Sequence, residues 1–212
     1  DHLGLPRVAG LAGSSYGGMV GLAFAALFPQ RLGRLLVISA AHRSHPMATA
    51  LRTLQRRAVR LGLSSGHVDE GMTIARGLAM TTYRTAAEFA MRFPVHGEET
   101  PEGVRFPVEG YLEHHGAAFS RRFSPWSFLC LSESIDLHNV DPERIRTPTT
   151  LVAVESDTLV PAWQMRELAA GMGRHATVTE IPSIYGHDAF LKEVEPLTEI
   201  IRATFAQGGD HE

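Results

Sequence analysis

Three residues of this 212-residue chain have the types, and the order along the chain, of a nucleophile, an acid and a base. Gly13-Ser14-Ser15-Tyr16-Gly17 matches G-x-S-x-G, in which small residues at both ends let a strand turn sharply into a helix and expose the central serine. Ser15 is therefore the expected nucleophile, and Ser14 is out of register with the turn. The N–H groups that open the following helix would face the negative charge that develops during attack. A serine hydroxyl needs a base to take its proton, and with this kind of turn an acid and then a histidine follow later in the chain. Asp157 stands in Glu155-Ser156-Asp157-Thr158-Leu159-Val160-Pro161, and His187 in Tyr185-Gly186-His187-Asp188-Ala189-Phe190. Asp157 would fix the imidazole tautomer, while His187 would take the Ser15 proton and later pass it to a leaving group or accept one from an acceptor. Glu155 is the alternative acid, placed nearer the strand itself.

These residues need elements to hold them. Arg7–Leu11 is a short apolar run suited to a buried strand, and Met19, Val20, Ala23, Phe24, Leu27 and Phe28 form a wide helical stripe stopped by Pro29. Leu35–Ser39 reads as the next strand, which gives the strand–helix–strand order of a parallel sheet. After Pro148 the alternation resumes with a strand over Thr150–Val154, a helix over Trp163–Met172, a strand over Ala176–Ile181 and a helix over Glu195–Ala206. The fold class is α/β, a parallel sheet flanked by helices.

Between these two stretches helical patterns dominate and no strand is expected, so residues 46–140 read as a helical cap inserted into a core made of residues 1–45 and 141–212. Met47, Leu51, Leu54, Ala58 and Leu61 step by helical spacing and predict the buried face of the first cap helix. Arg52, Arg56, Arg57 and Arg60 then form a solvated face, with contact to an anionic substrate as the other reading. Further helices are expected over Asp69–Ala79, Thr85–Arg92, Val108–Arg122 and Ser127–Asp136.

Composition narrows the function. Twenty Lys+Arg against 23 Asp+Glu give a formal charge of -3, which argues against a nucleic-acid partner. No apolar stretch approaches the roughly 20 residues that cross a bilayer. The single cysteine, Cys130, cannot form an internal disulfide and sits in an apolar segment expected to hide it, which fits a reducing compartment and a cytoplasmic location. No metal site is expected: His114 and His115 are adjacent, and His42 and His45 have no cysteine or carboxylate at ligand spacing.

With these residues placed, the chain resembles the homoserine O-acyltransferase family of the α/β-hydrolase superfamily. The likeness runs through Gly13–Met19, Ile74-Ala75-Arg76, Thr82-Tyr83-Arg84-Thr85, Arg92-Phe93, Val108-Glu109-Gly110-Tyr111-Leu112, Arg121-Arg122-Phe123-Ser124, Ser156-Asp157 and Gly186-His187-Asp188-Ala189-Phe190-Leu191. It implies the C-terminal part of an α/β-hydrolase fold with a helical cap, the strands that precede the elbow being absent from this sequence. It also implies transfer of an acetyl or succinyl group from acyl-CoA, as cosubstrate with no bound cofactor, to L-homoserine through an acyl-Ser15 intermediate, in methionine biosynthesis. Arg76 and Tyr83 match the cap residues that hold the amino-acid carboxylate in that family, and Asp188 matches the residue that reads the amino group. On the residues alone, Arg76 could equally make a surface ion pair, Tyr83 pack the cap, and Asp188 cap its loop. Tyr16 departs from the family's Met or Leu but keeps a backbone N–H for the oxyanion. A serine acceptor, ester hydrolysis, or a non-catalytic binding module on the same fold are the alternatives. The resemblance further suggests a homodimer formed through the cap.

Overall fold

The computed structural model describes residues 4–101 and 103–206; the outer ends of the expected core, residues 1–3 and 207–212, lie outside the described residues. Along the chain run β1 (Val8–Ser14), α1 (Tyr16–Leu27), β2 (Leu32–Ile38), α2 (Pro46–Ser65), α3 (Val68–Tyr83), α4 (Ala86–Arg92), β3 (Glu98–Thr100), β4 (Gly103–Arg105), α5 (Pro107–Ser120), α6 (Pro125–Leu137), β5 (Thr149–Val154), α7 (Ala162–Met172), β6 (Ala176–Ile181) and α8 (Val194–Ala206). Short 3₁₀ helices lie at Pro142–Arg144, Gly173–His175 and Gly186–Leu191. The chain divides into two compact units, one made of residues up to Ser44 and from Leu137 onward, the other of His45–Asp136.

The first unit is built on a four-stranded sheet in the order β1-β2-β5-β6, with every pairing parallel. Parallel strands covered on both faces must be apolar almost throughout, and Leu35–Ile38 and Leu151–Val154 are accordingly buried without alternation. β1 pairs only with β2 among the described residues and so forms an edge of the sheet. On one face Leu36, Ile38, Val152, Val154 and Ile181 pack with Leu197 of α8. α1 lies against β2 at short range because two of its residues lack side chains: a Cβ on Gly18 would stand 2.7 Å from the Ala40 Cβ, and one on Gly21 2.8 Å from a Leu35 methyl. The buried face of α1 is therefore Gly18, Met19, Gly21, Leu22, Ala25 and Ala26, while Val20, Leu27 and Phe28 of the expected stripe are exposed. Packing selected the small-residue side of a helix that is apolar nearly all round.

The second unit is mainly helical. Val59, Met72, Ala75 and Leu129 form its core, with Phe119, Phe123 and Phe128 packed against them. α2 begins at Pro46, its N-terminus capped by His45 Nδ1, which accepts from the Met47 N–H at 3.2 Å, and it stops at Gly66, whose φ of 79° is the left-handed conformation that glycine takes at low cost. α2 and α3 cross where Gly62 and Gly71 meet; a Cβ on Gly71 would come within 2.6 Å of the Ala58 carbonyl oxygen.

That crossing decides which face of α2 is inside. Ala48, Gln55, Arg56, Val59 and Gly62 are buried, whereas Met47, Leu54 and Leu61 of the expected buried stripe are exposed, a rotation of about one residue or 100°. Two of the four arginines are likewise not on a solvated face. Asp136 Oδ1 accepts from Arg52 Nε at 2.8 Å and from the Thr49 hydroxyl at 2.9 Å, and its Oδ2 accepts from Arg56 Nη1 at 2.5 Å. Arg60 pairs with Glu133 nearer the surface, and Arg57 is exposed. Cys130 is exposed rather than hidden, because α6 buries its neighbour Leu129 and the residue beside that on the helix turns outward. The stretch expected to contain no strand carries the short antiparallel pair β3–β4, whose polar residues Glu98, Glu99 and Arg105 give no apolar alternation to read.

Candidate active site

β1 ends at Ser14, α1 begins at Tyr16, and the whole turn between them is Ser15. Its φ of 48° and ψ of -121° lie outside the regions open to ordinary residues, a strained backbone of the kind that collects at functional positions. The turn is held by the Ser15 N–H donating to the Ile38 carbonyl at 2.9 Å and by the Met19 N–H donating to the Ser15 carbonyl at 3.1 Å. Gly13 is required by close approach, since a Cβ there would sit 2.4 Å from the carbonyl carbon and oxygen of Gly17. A Cβ on Gly17 meets nothing described within 4 Å, so only the first glycine of the motif is demanded sterically by this unit. Tyr16 is the first helical residue, and its N–H therefore belongs to the turn where a helix offers no carbonyl four residues back.

Asp157 follows β5 in a tight turn, its N–H donating to the Val154 carbonyl at 3.1 Å. Its Oδ1 accepts the backbone N–H groups of Leu159 at 2.9 Å and Val160 at 3.0 Å, which leaves Oδ2 for the Nδ1–H of His187 at 2.7 Å. The other imidazole nitrogen, Nε2, accepts from the Ser15 hydroxyl at 2.8 Å. Asp157 is 3% exposed and His187 5% exposed, so the bond between them is shielded from competing water, whereas the Ser15–His187 bond is only part-buried. His187 and Asp188 lie on the 3₁₀ helix Gly186–Leu191, entered through Gly186 at a φ of 60°. The loop that carries them is pinned by the Ser156 hydroxyl donating to the Ser183 carbonyl at 2.5 Å and the Tyr185 N–H donating to the Ser183 hydroxyl at 3.0 Å. The ring of His187 stands edge-on to Phe190, 5.9 Å between centroids. The structure thus brings Ser15, His187 and Asp157 into one hydrogen-bonded line, with Asp188 buried beside it, and leaves Glu155 exposed at the end of β5.

The alpha/beta hydrolase fold family matches residues 1–194 of the sequence. The chain belongs to that family. Within this α/β-hydrolase, the sequence is 43% identical over 210 residues to a homoserine O-succinyltransferase of Xanthomonas campestris pv. campestris, covering 99% of this chain and 57% of the relative. It is 38% identical over 216 residues to a homoserine O-acetyltransferase of Thermus thermophilus, covering 96% of this chain and 54% of the relative. The chain therefore spans a little over half the length of the curated relatives it matches. Among solved structures, esterase E22 superposes with a TM-score of 0.87 at 16% identity, covering 96% of this chain and 62% of that one, a likeness of fold.

In the second unit, Arg76 and Tyr83 share a face of α3, the Arg76 guanidinium lying 5.4 Å from the Tyr83 ring centroid and 5.0 Å from that of Phe119. Arg76 makes no ion pair among the described residues. Nearby, Glu88 Oε1 accepts from Arg84 Nη1 at 3.0 Å and Arg92 Nη1 at 3.1 Å, and Arg92 lies 4.6 Å from the Tyr111 ring centroid. Burial, then His114 and the guanidinium groups of Arg76, Arg92 and Arg84, hold the His115 imidazole below its ordinary pKa. Sequence reasoning missed this cation–aromatic cluster and the two N–H donors on Asp157. The second had a legible signal, an aspartate three residues before the Val-Pro that opens α7. No helix among the described residues is long and apolar enough to cross a membrane, and no group of three potential ligands there could hold a metal ion.

Proposed function

We propose that the whole protein is an O-acyltransferase of the homoserine type, carrying an acetyl or succinyl group from acyl-CoA to an amino-acid hydroxyl through an acyl ester on Ser15. The observation that carries this reading is the continuous line Ser15 Oγ, His187 Nε2, His187 Nδ1 and Asp157 Oδ2, at 2.8 and 2.7 Å, in a chain 43% identical to a homoserine O-succinyltransferase. In the first half-reaction Ser15 Oγ attacks the thioester carbonyl while His187 takes its proton. The resulting oxyanion is stabilised by the Tyr16 N–H and the start of α1. Collapse breaks the carbon–sulfur bond, and the proton on His187 goes to the departing thiolate. In the second half-reaction His187 takes the proton of the acceptor hydroxyl, the alkoxide attacks the acyl ester, and the proton returns to Ser15. Asp157 holds Nδ1 protonated throughout, so that Nε2 is the nitrogen that takes a proton at the start of each half-reaction and gives it back at the end.

Arg76 and Tyr83 are assigned the acceptor carboxylate, for which a guanidinium fork is the matching group, and Asp188 the acceptor ammonium. Supporting the first assignment is a guanidinium beside two rings, with no carboxylate partner among the described residues. The test is CoA release from acetyl-CoA and succinyl-CoA by the full-length protein with L-homoserine, L-serine or water as acceptor. Sustained release that requires L-homoserine is expected, and Arg76→Ala should raise the homoserine KM while sparing the first burst of CoA. Equal turnover with and without any amino acid would replace this reading with ester hydrolysis.

A further inference from the structure

On the face of the sheet that α8 covers, side chains two apart along each strand should be uniformly apolar. β2 presents Arg34, Leu36 and Ile38 there, β5 presents Thr150, Val152 and Val154, and β6 presents Thr177, Thr179 and Ile181, in a register that sets Leu36 beside Thr150 and Thr150 beside Thr177. The C-terminal half of this face is the apolar core described above. The N-terminal half is hydroxyl and guanidinium. The change of character coincides with a cavity of about 360 Å³ lined by Arg34 and the threonines, by Arg174 and His175 from the turn before β6, and by Ile200 and Ala203 of α8. No carboxylate is among its described lining residues, and Arg174 and His175 make no ion pair among the described residues. Thr204 closes the floor, its hydroxyl donating to that of Thr150 at 3.1 Å.

We infer that this cavity is a binding site for a small phosphate monoester. Guanidinium forks and convergent hydroxyls are the groups that recognise a phosphate, which accepts hydrogen bonds on every free oxygen. The cavity is larger than a bare phosphate needs and falls at the small end of organic-ligand sites, while Pro148, Ile200 and Ala203 give an apolar wall for the organic body. It lies at the N-terminal ends of the strands, whereas Ser15, Asp157 and His187 follow their C-terminal ends, so it is not part of the acyl-transfer site and does not depend on that reading.

Calorimetric titration of the full-length protein with inorganic phosphate and with glycerol 3-phosphate, at ionic strength held constant with NaCl, tests this. Saturable binding is expected, weakened roughly tenfold by Arg174→Gln and by Thr177→Val. Both positions are exposed, so an unchanged melting temperature without ligand will show that the fold is intact. Tighter binding of glycerol 3-phosphate assigns the site to an organic phosphate as inferred. Binding of inorganic phosphate alone, no saturable heat with either probe, or wild-type affinity in both variants overturns it.

Discussion

Asp157→Asn separates a catalytic carboxylate from a merely well-packed one. The two sides of this carboxylate have different partners: Oδ1 accepts two backbone N–H groups, and Oδ2 accepts from His187 Nδ1 at 2.7 Å. An asparagine must put its carbonyl oxygen toward Leu159 and Val160, because those donors cannot be satisfied by an NH₂ group. Its NH₂ then faces His187, whose Nδ1 has to become an acceptor and whose proton moves to Nε2. Nε2 now meets the Ser15 hydroxyl as a donor and cannot take its proton. The fold keeps its turn and loses its base. The expected cost is about 10⁴ in the rate of acylation, or about 5 kcal/mol in the barrier, with the melting temperature changed little. Stopped-flow detection of CoA release with enzyme in excess over acyl-CoA reads the first half-reaction directly. A loss smaller than tenfold would refute the tautomer argument, and a collapse of the melting temperature would mean that Asp157 acts through stability.

Three further outcomes follow from the packing. Gly13→Ala should destabilise the chain by about 1–3 kcal/mol, because its Cβ would run into the Gly17 backbone, whereas Gly17→Ala should be neutral or stabilise by up to about 1 kcal/mol; denaturant titration compares them. Asp136→Asn should cost about 3 kcal/mol at neutral pH, since it removes the carboxylate that Arg52 and the buried Arg56 both pair with. Burial disfavours the charge on Asp136, but the hydrogen bonds from Arg52 and Arg56 outweigh it and hold its carboxyl below the ordinary range. The stability it contributes is therefore present above about pH 4 and lost as pH falls further, and the Asn variant should show a flatter acid limb in urea melts between pH 5 and 2.

The four strands of the parallel sheet and the order of their connections were legible because they are short runs rich in apolar and β-branched residues, set off by Pro and Gly; β6 spans Ala176–Ile181 as read from the sequence, while the polar pair β3–β4 was not read. The meeting of Ser15, Asp157 and His187 was legible for a different reason. In a parallel sheet the loops that follow the strands gather at one end, so residues far apart in the chain converge if each follows a strand. The faces of helices were not legible where composition was degenerate. α1 is apolar on nearly every side, and only the contact of Gly18 and Gly21 with β2 selects one. On α2 a glycine crossing and the Arg56–Asp136 pair, contacts with residues distant in sequence, rotated the buried face away from the apolar stripe. A buried arginine reads as a surface residue until its aspartate, 80 residues on, is placed beside it.

Ser15 is the residue proposed to carry the acyl group. Intact-protein and peptide mass spectrometry of the full-length enzyme, quenched in acid after mixing with succinyl-CoA or acetyl-CoA without acceptor, tests this most directly. One acyl group on the peptide containing Gly13–Gly17, absent in Ser15→Ala and discharged by L-homoserine, is the expected result. An unmodified Ser15 under conditions where CoA is released, or an adduct on another residue that homoserine discharges equally well, would contradict it.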